Sequence, residues 1–253
     1  MNPKRKAWFK VYAGMLKASK KESHFIYLDK EFCDGAVILS NHVGTAGPLS
    51  FELFLDKPTR FWGAHEMNDT LGSMYKYQSE VFYHEKRGWN LTLSRMFCLI
   101  ASPLTWLFYK GLNLISTYHD MRLAHTLRES WEAIKEGTSI VIFPEISDKG
   151  YLDVLEGFHG GFALLLEFCK KRGKDVSVYV TYYNKENGAH VVDKPILYSE
   201  LLRICPDRES QAAYLCARCN RMGEISRNLG ENYALPEDLP EKKEEPAAVK
   251  TNG

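Results

Sequence analysis

Short continuous apolar runs alternate, through the middle of the chain, with longer stretches that place an apolar residue every three or four positions. Ala36-Val37-Ile38-Leu39 is a run of the buried-strand kind, and Gly47-Pro48 then opens an apolar helix through Leu55. Leu112 to Thr117 predicts another strand. Asp120 can cap a helix whose apolar face runs Ala124, Leu127, Trp131, Ile134 until Gly137 ends it. Ser139-Ile140-Val141-Ile142-Phe143 reads as a third strand and leads directly into Pro144-Glu145. Gly161 to Arg172 predicts a helix closed by Gly173, Val176 to Tyr183 a β-branched and aromatic strand, and Glu209 to Leu229 a closing helix. Strands and helices alternating at this spacing predict an α/β fold: one domain over residues 22–230, with a mostly parallel or mixed sheet flanked by helices.

The two ends break this pattern. Residues 1–21 hold seven basic and no acidic side chains, interleaved with Trp8, Phe9, Val11, Tyr12, Met15 and Leu16. This is a basic amphipathic helix, suited to lie in a membrane interface with its lysines on anionic lipid. Residues 231–253 carry Pro236, Pro240, Pro246 and a Glu-Lys-Lys-Glu-Glu run, a composition that predicts disorder. The stretch Met96 to Tyr109 is the most apolar of all, but its fourteen residues, interrupted by Pro103, are fewer than the roughly 20 that span a bilayer. It fits a buried core helix or a segment dipping into one leaflet. The aromatic-rich segments between residues 61 and 109 likewise fit either core or the lining of an apolar channel.

Charge narrows the partners. Over 253 residues, 33 Lys+Arg against 32 Asp+Glu leave a net +1, which excludes a bulk nucleic-acid-binding polycation. That near-neutrality is an average over zones, because residues 1–21 carry +7 while the body and the C-terminal segment carry −3 each. No apolar segment with a small-residue cleavage site follows the N-terminal basic cluster, so a cytoplasmic, reducing setting is expected. The six cysteines are scattered, and the Cys216-x-x-Cys219 pair lacks the second pair that a zinc site needs. Neither a metal nor another cofactor is expected.

Several devices of catalysis are missing: there is no GxxxxGK[ST], no GxGxxG, no GxSxG and no HExxH. Two polar blocks remain, each just past the carboxyl end of a predicted strand, where α/β folds place their sites. In Ser40-Asn41-His42-Val43-Gly44-Thr45-Ala46-Gly47-Pro48, His42 can accept a proton from an attacking hydroxyl. In Phe143-Pro144-Glu145-Ile146-Ser147-Asp148-Lys149, a carboxylate, a hydroxyl and an ammonium lie within five residues, enough to hold a polar or phosphorylated head.

Asn41-His42 after the first core strand, with Phe143-Pro144-Glu145 a hundred residues later, resembles the glycerolipid acyltransferase superfamily over roughly residues 36–183. The resemblance implies an O-acyltransferase moving a fatty acyl group from acyl-CoA or acyl carrier protein, as donor substrate, to a lysophospholipid hydroxyl at a membrane lipid surface. His42 would be the general base. Asn41, Phe143, Pro144, Glu145, Ser147 and Lys149 would line the acceptor site, and Arg122 is the nearest replacement for a missing phosphate-binding arginine. The family's first block reads NHxxxxD, with the aspartate orienting the imidazole, and here Gly47 stands in its place. Glu52, Glu66 and Asp69 are the candidate substitutes. The same glycine supports an alternative, a catalytically silent lipid- or acyl-carrier-binding member of the fold, in which Gly47→Asp would restore turnover.

Overall fold

The apolar runs near residues 37, 140 and 178 lie side by side at the centre of one sheet in the computed structural model of the chain, which describes residues 2, 4–118, 120–146, 150 and 152–236. In chain order, α1 (Ala7–Ala18) precedes β1 (His24–Tyr27) and β2 (Val37–Ser40), and α2 (Ala46–Phe54) leads to β3 (Thr59–Ala64). An excursion of α3 (His65–Asn68), α4 (Leu71–Lys76), a π-helix (Tyr77–Lys86) and α5 (Leu91–Leu112) separates β3 from β4 (Ile115–Thr117). Then follow α6 (Leu123–Lys135), β5 (Ser139–Ile142), α7 (Gly161–Lys170), β6 (Ser177–Asn184), β7 (Ala189–Val192), β8 (Ile196–Leu197), α8 (Tyr198–Ile204) and α9 (Arg208–Arg227).

The strands order as β1-β7-β6-β2-β5-β3-β4, with β8 also paired to β6. Pairing is parallel except for β6 with β7 and with β8, so the chain is a single α/β domain on a mostly parallel mixed sheet. Every residue of β2 and of β5 is buried, which is why these strands read as unbroken apolar runs rather than alternating ones. Val37 and Leu39 face one core, with Ile134, Phe162, Leu166 and Leu215; Ile38 faces the other, with Phe9, Phe51, Phe61 and Tyr179.

Boundaries differ from the sequence pattern where single residues intervene. The strand expected from Leu112 starts only at Ile115, because α5 runs through Leu112 and ends on Asn113 at φ 51°, a left-handed position that Asn tolerates better than most residues. The helix expected to open at Gly47-Pro48 begins at Ala46, which places Pro48 in the first turn, where a missing N–H leaves no intrahelical bond unmade. Asp120 accepts the Arg122 N–H at 2.8 Å one turn ahead of α6.

The N-terminal segment is wired into the fold rather than laid on it. Asn2 donates to the Thr59 carbonyl at 2.7 Å, and Lys4 Nζ donates to the Glu136 carbonyl at 3.0 Å and to Thr138 at 2.9 Å. Arg5 and Glu52 form a buried, two-pronged ion pair at 2.9 and 2.7 Å. Phe9 and Ala13 are fully buried, and the Phe9 ring fills the notch over Gly111 of α5, where a Cβ would collide with it. Of the seven basic residues in this segment, Lys4 and Arg5 therefore serve packing, while Trp8, Val11 and Met15 stay exposed.

Of the C-terminal segment expected to be disordered, residues 231–236 are described and hold a 3₁₀ turn, Glu231–Tyr233. Tyr233 donates to the Asn187 carbonyl at 3.1 Å and packs on His24 at 4.5 Å, which fixes the turn; residues 237–253 lie outside the described residues.

Candidate active site

Parallel pairing of β2, β5, β3 and β4 brings their carboxyl ends to one edge of the sheet, and the two polar blocks meet there. Glu145 accepts the His42 main-chain N–H through Oε2 at 2.9 Å, across 103 residues of sequence. Glu145 is buried, and burial raises its pKa while the N–H groups of His42 and Leu152 oppose the rise. Its main chain bridges Phe158, so the 143–146 segment is held from both sides.

His42 leaves β2 on a constrained path. Val43 sits at φ 44° and Gly44 at φ 63°. A β-branched residue in the left-handed region is a strained conformation, costing on the order of 1–3 kcal/mol, and such strain concentrates at working sites. The half-buried imidazole packs edge-on against Phe143 at 5.0 Å, and Phe143 in turn stacks over Phe61 at 6.4 Å. Burial lowers the His42 pKa to about 4, a hydrogen bond with the Gly44 backbone opposes this, and the Lys86 charge adds to the lowering. At neutral pH the ring is therefore an uncharged proton acceptor.

Lys86 bears on the His42 charge and was not singled out from the sequence. It ends the π-helix and is exposed, and its charge helps to lower the His42 pKa. Ten residues in π-helical geometry have no sequence signature, whereas π-helical segments are rare and recur at functional sites.

The other expected residues divide. Phe143 forms the aromatic wall, and buried Pro144 accepts the His159 N–H at 2.7 Å through its carbonyl. Asn41 is turned away from the site: its amide donates to the Tyr183 carbonyl at 3.0 Å and accepts the Tyr183 N–H at 2.7 Å, clamping β2 to β6. Arg122 is forked onto Asp120, with Nε at 3.0 Å and a terminal nitrogen at 2.8 Å, and stacks on Tyr118 at 4.4 Å, so a carboxylate already compensates its charge. Ser147 and Lys149 lie outside the described residues.

Each of the three candidate acids has a partner other than His42. Glu52 is fully buried and committed to Arg5, Glu66 pairs with His65 at 3.2 Å, and exposed Asp69 accepts from Ser73 at 3.0 Å. Gly47 leaves no room for the missing one: a Cβ there would lie 2.6 Å from the His42 carbonyl oxygen and 3.3 Å from that of Asn41. Gly47→Asp is therefore expected to destabilise the fold by about 1–3 kcal/mol, read as a lower urea midpoint, instead of restoring turnover. A variant of unchanged stability and increased transfer would show that the loop opens readily.

Deeper in the same core, His190 is fully buried with Nε2 2.6 Å from Ser50 Oγ and its ring stacked on Phe25 at 4.4 Å. Burial holds its pKa down to about 3, so this imidazole stays neutral and ties α2 to β7. The cysteine pair is inert: Cys216 and Cys219 are buried, and burial raises the Cys216 pKa to about 11. Among the described residues, no group of three or more His, Cys, Asp or Glu could hold a metal ion.

No family model matches the chain, and no curated protein matches it. Among solved structures it is similar to the 1-acyl-sn-glycerophosphate (LPA) acyltransferase PlsC from Thermotoga maritima, at 12% identity and a TM-score of 0.46, over 86% of this chain and 78% of that one.

Proposed function

We propose that this protein is an O-acyltransferase that moves a fatty acyl group from a thioester, acyl-CoA or acyl carrier protein, to a lipid hydroxyl such as that of 1-acylglycerol-3-phosphate. The observation that carries the reading is the 2.9 Å bond joining His42 to Glu145, which unites two blocks that resemble the superfamily's two motifs at neighbouring strand ends. His42 accepts the hydroxyl proton as the oxygen attacks the thioester carbonyl. The C–S bond then breaks, the ester C–O bond remains, and the imidazole returns the proton to the leaving thiolate. Glu145 acts as a positioning residue through the His42 main chain, and Lys86 offers a cation to the anionic end of a substrate. Ser147 and Lys149 belong to the acceptor block in this reading.

A second reading, a silent lipid- or acyl-carrier-binding protein, is favoured by one observation: no carboxylate fits at position 47. Binding of a lysophospholipid by the wild type without turnover would select it.

The pH dependence of transfer separates the proposed base from a solvated histidine. Because His42 works in its neutral form and its pKa is lowered to about 4, kcat/KM is expected to stay level from pH 8 to about 5 and to fall only toward pH 4. An acid limb near 6.5, measured under conditions where circular dichroism shows the fold intact, would contradict a base with the lowered pKa of His42.

A further inference from the structure

Helix α5 is amphipathic in the wrong sense for water. Its inner face is small or weakly polar, with Ser94, Cys98 and Ser102 buried at four-residue spacing against α4 and the π-helix. Its outer face is large and apolar: Leu93, Met96, Phe97, Ile100, Leu104 and Leu107 form a stripe, Met96 64% and Ile100 76% exposed. A water-facing helix places these two sets the other way round. The stripe spans fifteen residues from Leu93 to Leu107, about 21 Å end to end at 1.5 Å per step.

By length and composition Leu91–Leu112 could cross a bilayer, but it packs along α4 and the π-helix, so it lies on the body with one side free. Helix α1 crosses it at Phe108, through Phe9 at 5.5 Å and Tyr12 at 6.1 Å, and brings exposed Trp8, Val11 and Met15 to the neighbouring surface.

We infer that the outer face of α5 embeds in one leaflet of an anionic membrane, with α1 beside it. The charge pattern selects lipid over a second copy of this chain. Helix α5 contains no Asp or Glu, Lys86 and Arg87 precede it, Lys110 closes it over Trp106 at 5.5 Å, and Lys10 and Lys17 lie on α1, with Lys20 in the turn just after it. Two such rims facing each other would repel, whereas lipid phosphates complement them. Exposed Trp8 and Trp89 suit headgroup depth. This deepens the membrane contact expected from the sequence, and it does not require that His42 be active.

The test is flotation of the full chain with vesicles of phosphatidylcholine, with and without phosphatidylglycerol, for the wild type and an Ile100→Glu, Leu104→Glu double variant. Wild type is expected to float best with the anionic vesicles, and the double variant to partition at least about tenfold less, since each side chain removed from lipid forfeits a full apolar burial. Both residues are solvent-facing, so the thermal melting curve stays in place. Should the double variant misfold, a fluorophore on Ile100→Cys in a Cys33→Ser background reads the same burial as a blue shift on vesicles. Undiminished flotation or an unshifted fluorophore overturns the inference. So does a wild type that ignores vesicles and forms dimers that the double variant dissolves. Wild type that floats but transfers no acyl group contradicts only the acyltransferase reading; transfer to a water-soluble short-chain acceptor without flotation contradicts only this one.

Discussion

Arg5→Met is expected to lower the free energy of unfolding by about 3–5 kcal/mol, the usual consequence of removing one partner from a buried ion pair. Glu52 is 0% exposed and Arg5 side chain 4%, and both carboxylate oxygens take a guanidinium N–H. Desolvation already raises the Glu52 pKa, and Arg5 is the group that opposes it most, so the lone carboxylate must either stay charged in the core or take up a proton. The sign of the pH dependence follows. A carboxyl whose folded pKa lies above its unfolded value favours the fold as pH falls through that value, so the deficit of Arg5→Met narrows toward acid pH. Arg5→Met with Glu52→Leu is expected to recover most of the loss, since an apolar pair of similar volume replaces a buried ion pair at little cost. Urea unfolding of the three variants across pH checks all of this, and a single variant as stable as the wild type would show that the pair is dispensable.

The same pair shows where sequence reading stopped. Strands β2, β5 and β6 and helices α6, α7 and α9 were legible because burial on both faces, or helical spacing with a cap, is written locally. His42 and Glu145 were legible for the same reason, since each follows an apolar run that could only be a central strand. Edge strand β1 was not, because His-Phe-Ile-Tyr is four half-buried residues without a run or an alternation. Nor was β7, whose His190 interrupts the apolar pattern yet is neutral and fully buried through Ser50 and its aromatic neighbours. Glu52 lies one helical turn past Pro48 and so looked available to His42; its partner comes from 47 positions earlier, a long-range pairing that no spacing encodes. For α5 the apolarity was visible and the direction it faces was not, because small inner residues and large outer ones have the same periodicity as the reverse arrangement. Lys86 was hidden by the π-helix, which packs against α5 and has no local sequence signature.

The largest functional effect belongs to His42→Ala. The substitution removes the only group in the strand-end loop that can take a proton at neutral pH, and it keeps the main-chain N–H that Glu145 holds, so the loop path and the joined strand ends survive. The lost ring leaves a gap beside Phe143 at the sheet edge, where the imidazole is only half-buried, so the thermal midpoint is expected to move little. A positioned base contributes about 10²–10⁴ in rate, and transfer is expected to fall by that factor with little change in acceptor binding, since the ring acts on the hydroxyl proton and not on the headgroup.

Side-by-side assay of wild type and His42→Ala, with a labelled acyl thioester and 1-acylglycerol-3-phosphate presented on anionic vesicles, tests the central claim most directly. The expected result is acyl transfer by the wild type and a loss of about 10²–10⁴ in the variant at unchanged acceptor affinity. Transfer by His42→Ala at the wild-type rate, or a wild type that binds the acceptor and never acylates it, would contradict the claim.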